Sequence, residues 1–253
     1  MLDLAKQIRG EFSRLDRRVI FALVYTAAGL TCIAYLKNPA YLALLLSQTP
    51  FAYIGERAVN PEDNNLYSLI WWVFVSVFFY FLVPAVFVKF VQRRPLSEIG
   101  LAFKIEKGFI PLVLKCTALM LPLVYLMSLT GGFSAKYPFL RVFNSDPYLS
   151  STLIVWELVY FLQFFGLEFF FRGFLLHSLK GRLGTYSIFV MTVPYTMIHF
   201  AKPIPEAFAA IIAGIFLGWL SLKNGSIWIG LVLHCTVAFS MDILALYNKG
   251  LLF

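Results

Sequence analysis

Long apolar stretches separated by short polar ones dominate the chain. Crossing roughly 30 Å of hydrocarbon takes about 20 apolar residues in a helix, and stretches of that kind fall at 19–36, 66–91, 109–129, 151–179, 185–200, 205–222 and 226–247. They predict about seven membrane crossings. The stretch 185–200 is short, and 151–179 is long with charges inside it. The run from Pro39 to Ser47, closed by Pro50, is too short to span and reads as an interfacial or re-entrant piece, or as a bent extension of the first helix. If it did cross, it would be an eighth span. Ahead of the first span, Leu4, Ile8, Phe12 and Leu15 recur at helical spacing opposite Lys6, Arg9, Arg17 and Arg18. This predicts an amphipathic helix over 1–18 lying on the membrane surface. The expected fold is an all-α polytopic membrane helical bundle, a single integral membrane domain over 1–253.

Composition agrees with this pattern. Of 253 residues, 60% are hydrophobic and 13% charged, about half the charge of a soluble domain, which excludes a soluble globule. The net charge of +8 does not indicate nucleic acid, because the 21 Lys and Arg are scattered between apolar stretches. They alternate instead. Lys6, Arg9, Arg14, Arg17 and Arg18 precede the first stretch, Lys89, Arg93, Arg94, Lys104 and Lys107 follow the second, and Lys180, Arg182 and Lys223 follow the fourth and sixth. Positive flanks are retained in the cytoplasm, so a cytoplasmic N-terminus in a cell-membrane protein is expected. Cys32, Cys116 and Cys235 are odd in number and form no CxxC pair, so they indicate neither a disulfide framework nor a thiolate metal site. The only partner read from this pattern is the lipid bilayer.

Ionisable residues at membrane depth are expensive and default to function. Glu168 and Arg172 stand four apart in the fourth stretch, placing them one turn along the same helix face, where they can pair. Glu157, eleven residues earlier, returns to within roughly 20° of the same direction. His199 and His234 lie in two other apolar stretches, while His177 falls half a turn away from Glu168 and is assigned to the surface. A carboxylate and a histidine can activate water, and a second histidine can hydrogen-bond a developing oxyanion, which together suit peptide-bond hydrolysis. A zinc site built from Glu168, His199 and His234 is the alternative, although HExxH is missing and Arg172 opposes a cation. The bland reading is an intramembrane salt bridge with satisfied core histidines.

The motifs LEFFFRG (Glu168, Arg172), YTMIH (Tyr195, His199) and HCTVA (His234) resemble, in order and spacing, those of the CAAX prenyl protease type II and bacteriocin-processing (CPBP, or Abi) family of intramembrane glutamic proteases. The resemblance covers 151–247, with the PLSEIGLAF connector a fainter match. It implies a metal-free endopeptidase without cofactor, acting on a membrane-associated protein or peptide in processes such as peptide maturation or self-immunity. It further implies that Glu168 and His199, with Arg172 orienting the carboxylate, activate water while His234 stabilises the oxyanion. Two positions depart from the family: its first glutamate is Leu167 here, and the Asn or Asp four after the last histidine is Ala238. Glu206, seven residues past His199 beyond Pro203 and Pro205, is the acid best placed to be recruited, or else a helix cap. Asp242 is too far around its helix to replace the missing donor. An inactive scaffold derived from the protease, or a proton-coupled transporter using the same polar residues, are the rival readings.

Overall fold

The computed structural model describes residues 10, 15–103, 108–142 and 151–251. Most of the expected amphipathic segment, residues 1–9 and 11–14, lies outside the described residues. Helix α1 (Arg17–Leu36) starts where the Asp16 side chain accepts a 2.9 Å hydrogen bond from the Arg18 backbone N–H, satisfying one of the free donors of the first turn. It is followed by α2 (Pro39–Leu46), α3 (Ala52–Val59), α4 (Leu66–Val91), α5 (Phe109–Ser128), α6 (Gly131–Lys136), α7 (Ser151–Leu183), α8 (Tyr186–Met197), α9 (Ile204–Asn224) and α10 (Trp228–Asn248). No strand occurs among the described residues.

Six of these helices, α1, α4, α5, α7, α9 and α10, are long and apolar enough to cross a membrane. The seventh expected crossing, 185–200, is the 12-residue α8, about 18 Å long. It is bounded by Gly184 at φ 52° and by the turn that leads into Pro203. The Pro39–Ser47 run becomes α2, which packs against the equally short α3. Eight residues span only about 12 Å, so α2 cannot make an eighth crossing.

Helix α7 is the central element. In its most apolar 18-residue window 61% of residues are buried, against 6% for α5, whose exposed Ile110, Leu114 and Leu119 suit a lipid-facing position. Buried around α7 lies a largely aromatic cluster that includes Tyr80, Phe169, Phe170, Phe171, Phe174 and Tyr195. Immediately after Glu168 the helix widens into a π-helical segment, Phe169–Leu175, a feature frequent at functional sites. Helices α7 and α10 run antiparallel in register. Glu157 faces Asp242, and eleven residues further on Glu168 meets Gly230 and His234. The connector before α5 docks on the start of α10, where the Ile227 N–H donates to the Gly100 carbonyl at 3.0 Å.

Candidate active site

Glu168 is wholly buried. Its Oε1 accepts from Arg172 Nη1 at 3.0 Å, the (i, i+4) pair expected from sequence, and lies 2.6 Å from His234 Nδ1 on α10. A charged acceptor between two donors makes strong hydrogen bonds, and the ion pair offsets the cost of burying both charges. Oε2 has no partner and lies against α10 where a side chain on Gly230 would stand: a Cβ there would overlap the carboxylate. Glu168 is therefore enclosed by Arg172, His234 and the α10 backbone.

The other nitrogen of His234, Nε2, lies 3.0 Å from the hydroxyl of Tyr195 on α8. Carboxylate, imidazole and phenol form one continuous chain across α7, α10 and α8. Phe164 stacks on the imidazole at 5.3 Å, restricting its rotation, and 17% of the His234 side chain remains exposed. The Arg172 guanidinium carbon sits 3.8 Å from the centre of the Tyr195 ring, a close cation–π contact. Gly214 on α9 permits this placement, because a Cβ there would come within 3.1 Å of the Tyr195 ring.

His199 lies just past α8, buried, its ring edge-on to Tyr195 at 4.9 Å. Its Nδ1 is 2.9 Å from the Tyr195 carbonyl, which can only accept. The proton of the neutral imidazole therefore sits on Nδ1, leaving a lone pair on Nε2. Both histidines share Tyr195 as neighbour.

The remaining sequence candidates lie elsewhere. Glu206, in the first turn of α9, accepts from Lys202 Nζ at 2.5 Å and from the Tyr137 hydroxyl at 2.8 Å, and hydrogen-bonds to neither histidine. Burial, with the nearby Glu206 carboxylate, pushes the Tyr137 phenol far above its ordinary range and keeps it a donor to Glu206. Asp242 accepts from Trp156 Nε1 at 3.0 Å. It also lies beside Glu157, and Glu157 Oε2 and Asp242 Oδ1 are each buried with no hydrogen-bond partner. This pair lies about 16 Å along α7 from Glu168, out of reach of it. Asp242→Ala strands the Trp156 N–H and is expected to lower stability by about 1–3 kcal/mol. Glu157→Gln, whose amide can donate to Asp242, leaves stability unchanged; thermal unfolding in detergent micelles measures both.

His177 is not at the surface. It is partly buried, its Nε2 3.3 Å from Ser221 Oγ, and the Ser221 hydroxyl donates at 2.9 Å to the Arg172 carbonyl. The π-helical segment shifts the face on which His177 emerges, and an ideal-helix projection from Glu168 misses that shift. Leu167 and Ala238, at the two departing positions, are buried in apolar clusters. Two supporting residues, Gly230 and Ser221, were not singled out from sequence, and Tyr195 was read only as the aromatic of the YTMIH motif, without a role for its hydroxyl. Gly230 left one signal, standing four before His234 on the same helix face.

Residues 149–240 match the family model described as type II CAAX prenyl endopeptidase Rce1-like, which supports a CPBP assignment and, at family level, a CAAX-type intramembrane protease. The matched segment holds Glu168, Arg172, Tyr195, His199 and His234. No curated protein and no solved structure matches the chain.

Proposed function

Taking the chain as a member of the CPBP family, on the strength of its Rce1-like segment, we propose that it is an intramembrane endopeptidase that hydrolyses a peptide bond of a membrane-associated protein or peptide. The observation that carries this reading is the bonded chain of Glu168, His234 and Tyr195, with His199 packed against its far end. An inert bundle has no need to converge a carboxylate, a guanidinium, two imidazoles and a phenol from α7, α8 and α10, each polar group being costly at depth.

In the reaction, His199 Nε2 takes a proton from water as the water oxygen adds to the scissile carbonyl. The carbonyl oxygen, now anionic, is stabilised on the His234 side of Tyr195. His199 then returns the proton to the departing amine, the C–N bond breaks, and a carboxylic acid and an amine leave. Glu168 serves here through His234, holding the Nδ1 proton and so fixing the tautomer and orientation of the ring, and Arg172 keeps Glu168 anionic. This narrows the role read from sequence, in which Glu168 itself faced the water. The enclosure of its two oxygens supports the change.

The donor set favours the metal-free version over zinc. Both His234 nitrogens are engaged, Oε1 of Glu168 already pairs with a guanidinium, and no group of three or more His, Cys, Asp and Glu suited to a metal occurs among the described residues. The basic flanks support a cytoplasmic N-terminus, and we place the chain in the cell membrane.

The test is cleavage of a quenched-fluorescent, farnesylated CAAX-terminal peptide by the purified full chain in detergent micelles. His199→Ala should lower kcat by about 10²–10⁴-fold while the protein remains folded. Resistance of the wild-type activity to chelators is expected, and zinc-restored activity after chelation would move the assignment to the metal site. A folded wild-type protein that leaves the peptide intact favours the inactive-scaffold reading, which Leu167 and Ala238 already motivate.

A further inference from the structure

Resting on the hydrolase reading above, we propose that Tyr195 is a catalytic residue whose hydroxyl donates a hydrogen bond to the oxyanion of the tetrahedral intermediate. The need for such a donor follows from the chain's own residues. Position 238, one turn beyond His234 on α10, is an alanine buried among apolar side chains and offers no hydrogen bond. Within the site, Arg172 bonds Glu168 through Nη1 and lies on the face of the Tyr195 ring, with Nε and Nη2 buried and unpartnered, and the Ser221 hydroxyl is committed to the Arg172 carbonyl. His234 is held at both nitrogens. The side-chain hydroxyl in hydrogen-bond contact with His234 itself is that of Tyr195.

A hydroxyl accepts and donates at once. The His234 Nδ1–H points at Glu168, which leaves Nε2 to accept from the Tyr195 hydroxyl. The phenolic proton can turn from Nε2 towards the carbonyl oxygen as that oxygen becomes anionic. No covalent bond to Tyr195 forms; a hydrogen bond to Nε2 is exchanged for one to the oxyanion. The Arg172 cation on the ring face draws electron density from the phenol and strengthens its O–H as a donor. Burial within the aromatic cluster keeps competing water away.

The charged and titratable groups around Tyr195 are Glu168 and Arg172 on α7, Glu206 on α9, His234 on α10 and its own neighbour His199. Tyr195→Phe removes one oxygen and leaves the ring packing. With the farnesylated CAAX-terminal peptide, kcat is expected to fall about 10²–10³-fold with KM and thermal unfolding unchanged. Replacing Tyr195 by 3,5-difluorotyrosine, a more acidic phenol of nearly the same shape, should move the alkaline limb of the kcat profile to lower pH. A merely structural tyrosine would not do this. Tyr195→Phe with wild-type kcat, while His199→Ala is inactive, overturns this inference and leaves the hydrolase reading intact. A loss confined to KM, or an unmoved alkaline limb, overturns it too. Absence of cleavage by the wild-type chain overturns the hydrolase reading and the Tyr195 assignment with it.

Discussion

Glu168→Gln is expected to reduce cleavage by about 10⁴-fold, as when an amide replaces the carboxylate behind a catalytic histidine and favours the wrong tautomer. It should also destabilise the protein. The substitution leaves Arg172, fully buried, without its counter-charge, and removing one partner of a buried ion pair costs about 3–5 kcal/mol. The two losses are separable. In Glu168→Gln/Arg172→Met both charges are gone and the cavity is filled by a flexible apolar chain, so thermal stability in micelles should largely recover. Cleavage should not, because His234 still lacks its anionic partner. Recovery of activity in the double variant would show that the single substitution acts only through folding, and the role given to Glu168 would fall.

Gly230→Ala is expected to be nearly as damaging although residue 230 carries no functional group. Its Cβ would overlap the Glu168 carboxylate. That group cannot retreat, being bound by Arg172 and His234. Overpacking of this kind costs about 1–3 kcal/mol, and a displacement of about 1 Å at a reacting group costs about 10²-fold in rate. Gly181→Ala, late in α7 with nothing within 4 Å of the added carbon, provides the control and should be neutral or stabilising by up to about 1 kcal/mol. Gly230→Ala combined with Glu168→Asp, which withdraws the carboxylate by one methylene, should regain part of the lost stability. If Gly230→Ala matches wild type in both melting temperature and kcat, the close approach of α7 to α10 is not what positions the site.

These two positions illustrate what a single sequence discloses here. Glu168 and Arg172 could be paired in advance because four residues bring side chains together on any helix, and the wider π-helical turn preserves that contact. Gly230 could not be matched to Glu168, since their separation of 62 positions is closed only by the antiparallel packing of α7 and α10. Glu206 had the right type and a plausible position, but Tyr137 and Lys202 claim both its oxygens, and Tyr137 comes from a connection with no periodic signal. His177 was misplaced by a local change of helix type.

The all-helical membrane architecture, the positions of six long spans and the identity of the polar residues at depth were determined by composition and periodicity. The bilayer demands that every backbone group be satisfied within its own helix and makes each buried charge conspicuous. Only the tertiary structure decided that Tyr195 joins the Glu168–His234 pair, that Glu157 turns to Asp242, and that Glu206 is held by other partners. Those choices depend on contacts between helices distant in the chain, set by side-chain shape and small-residue gaps such as Gly214 and Gly230 rather than by any local pattern.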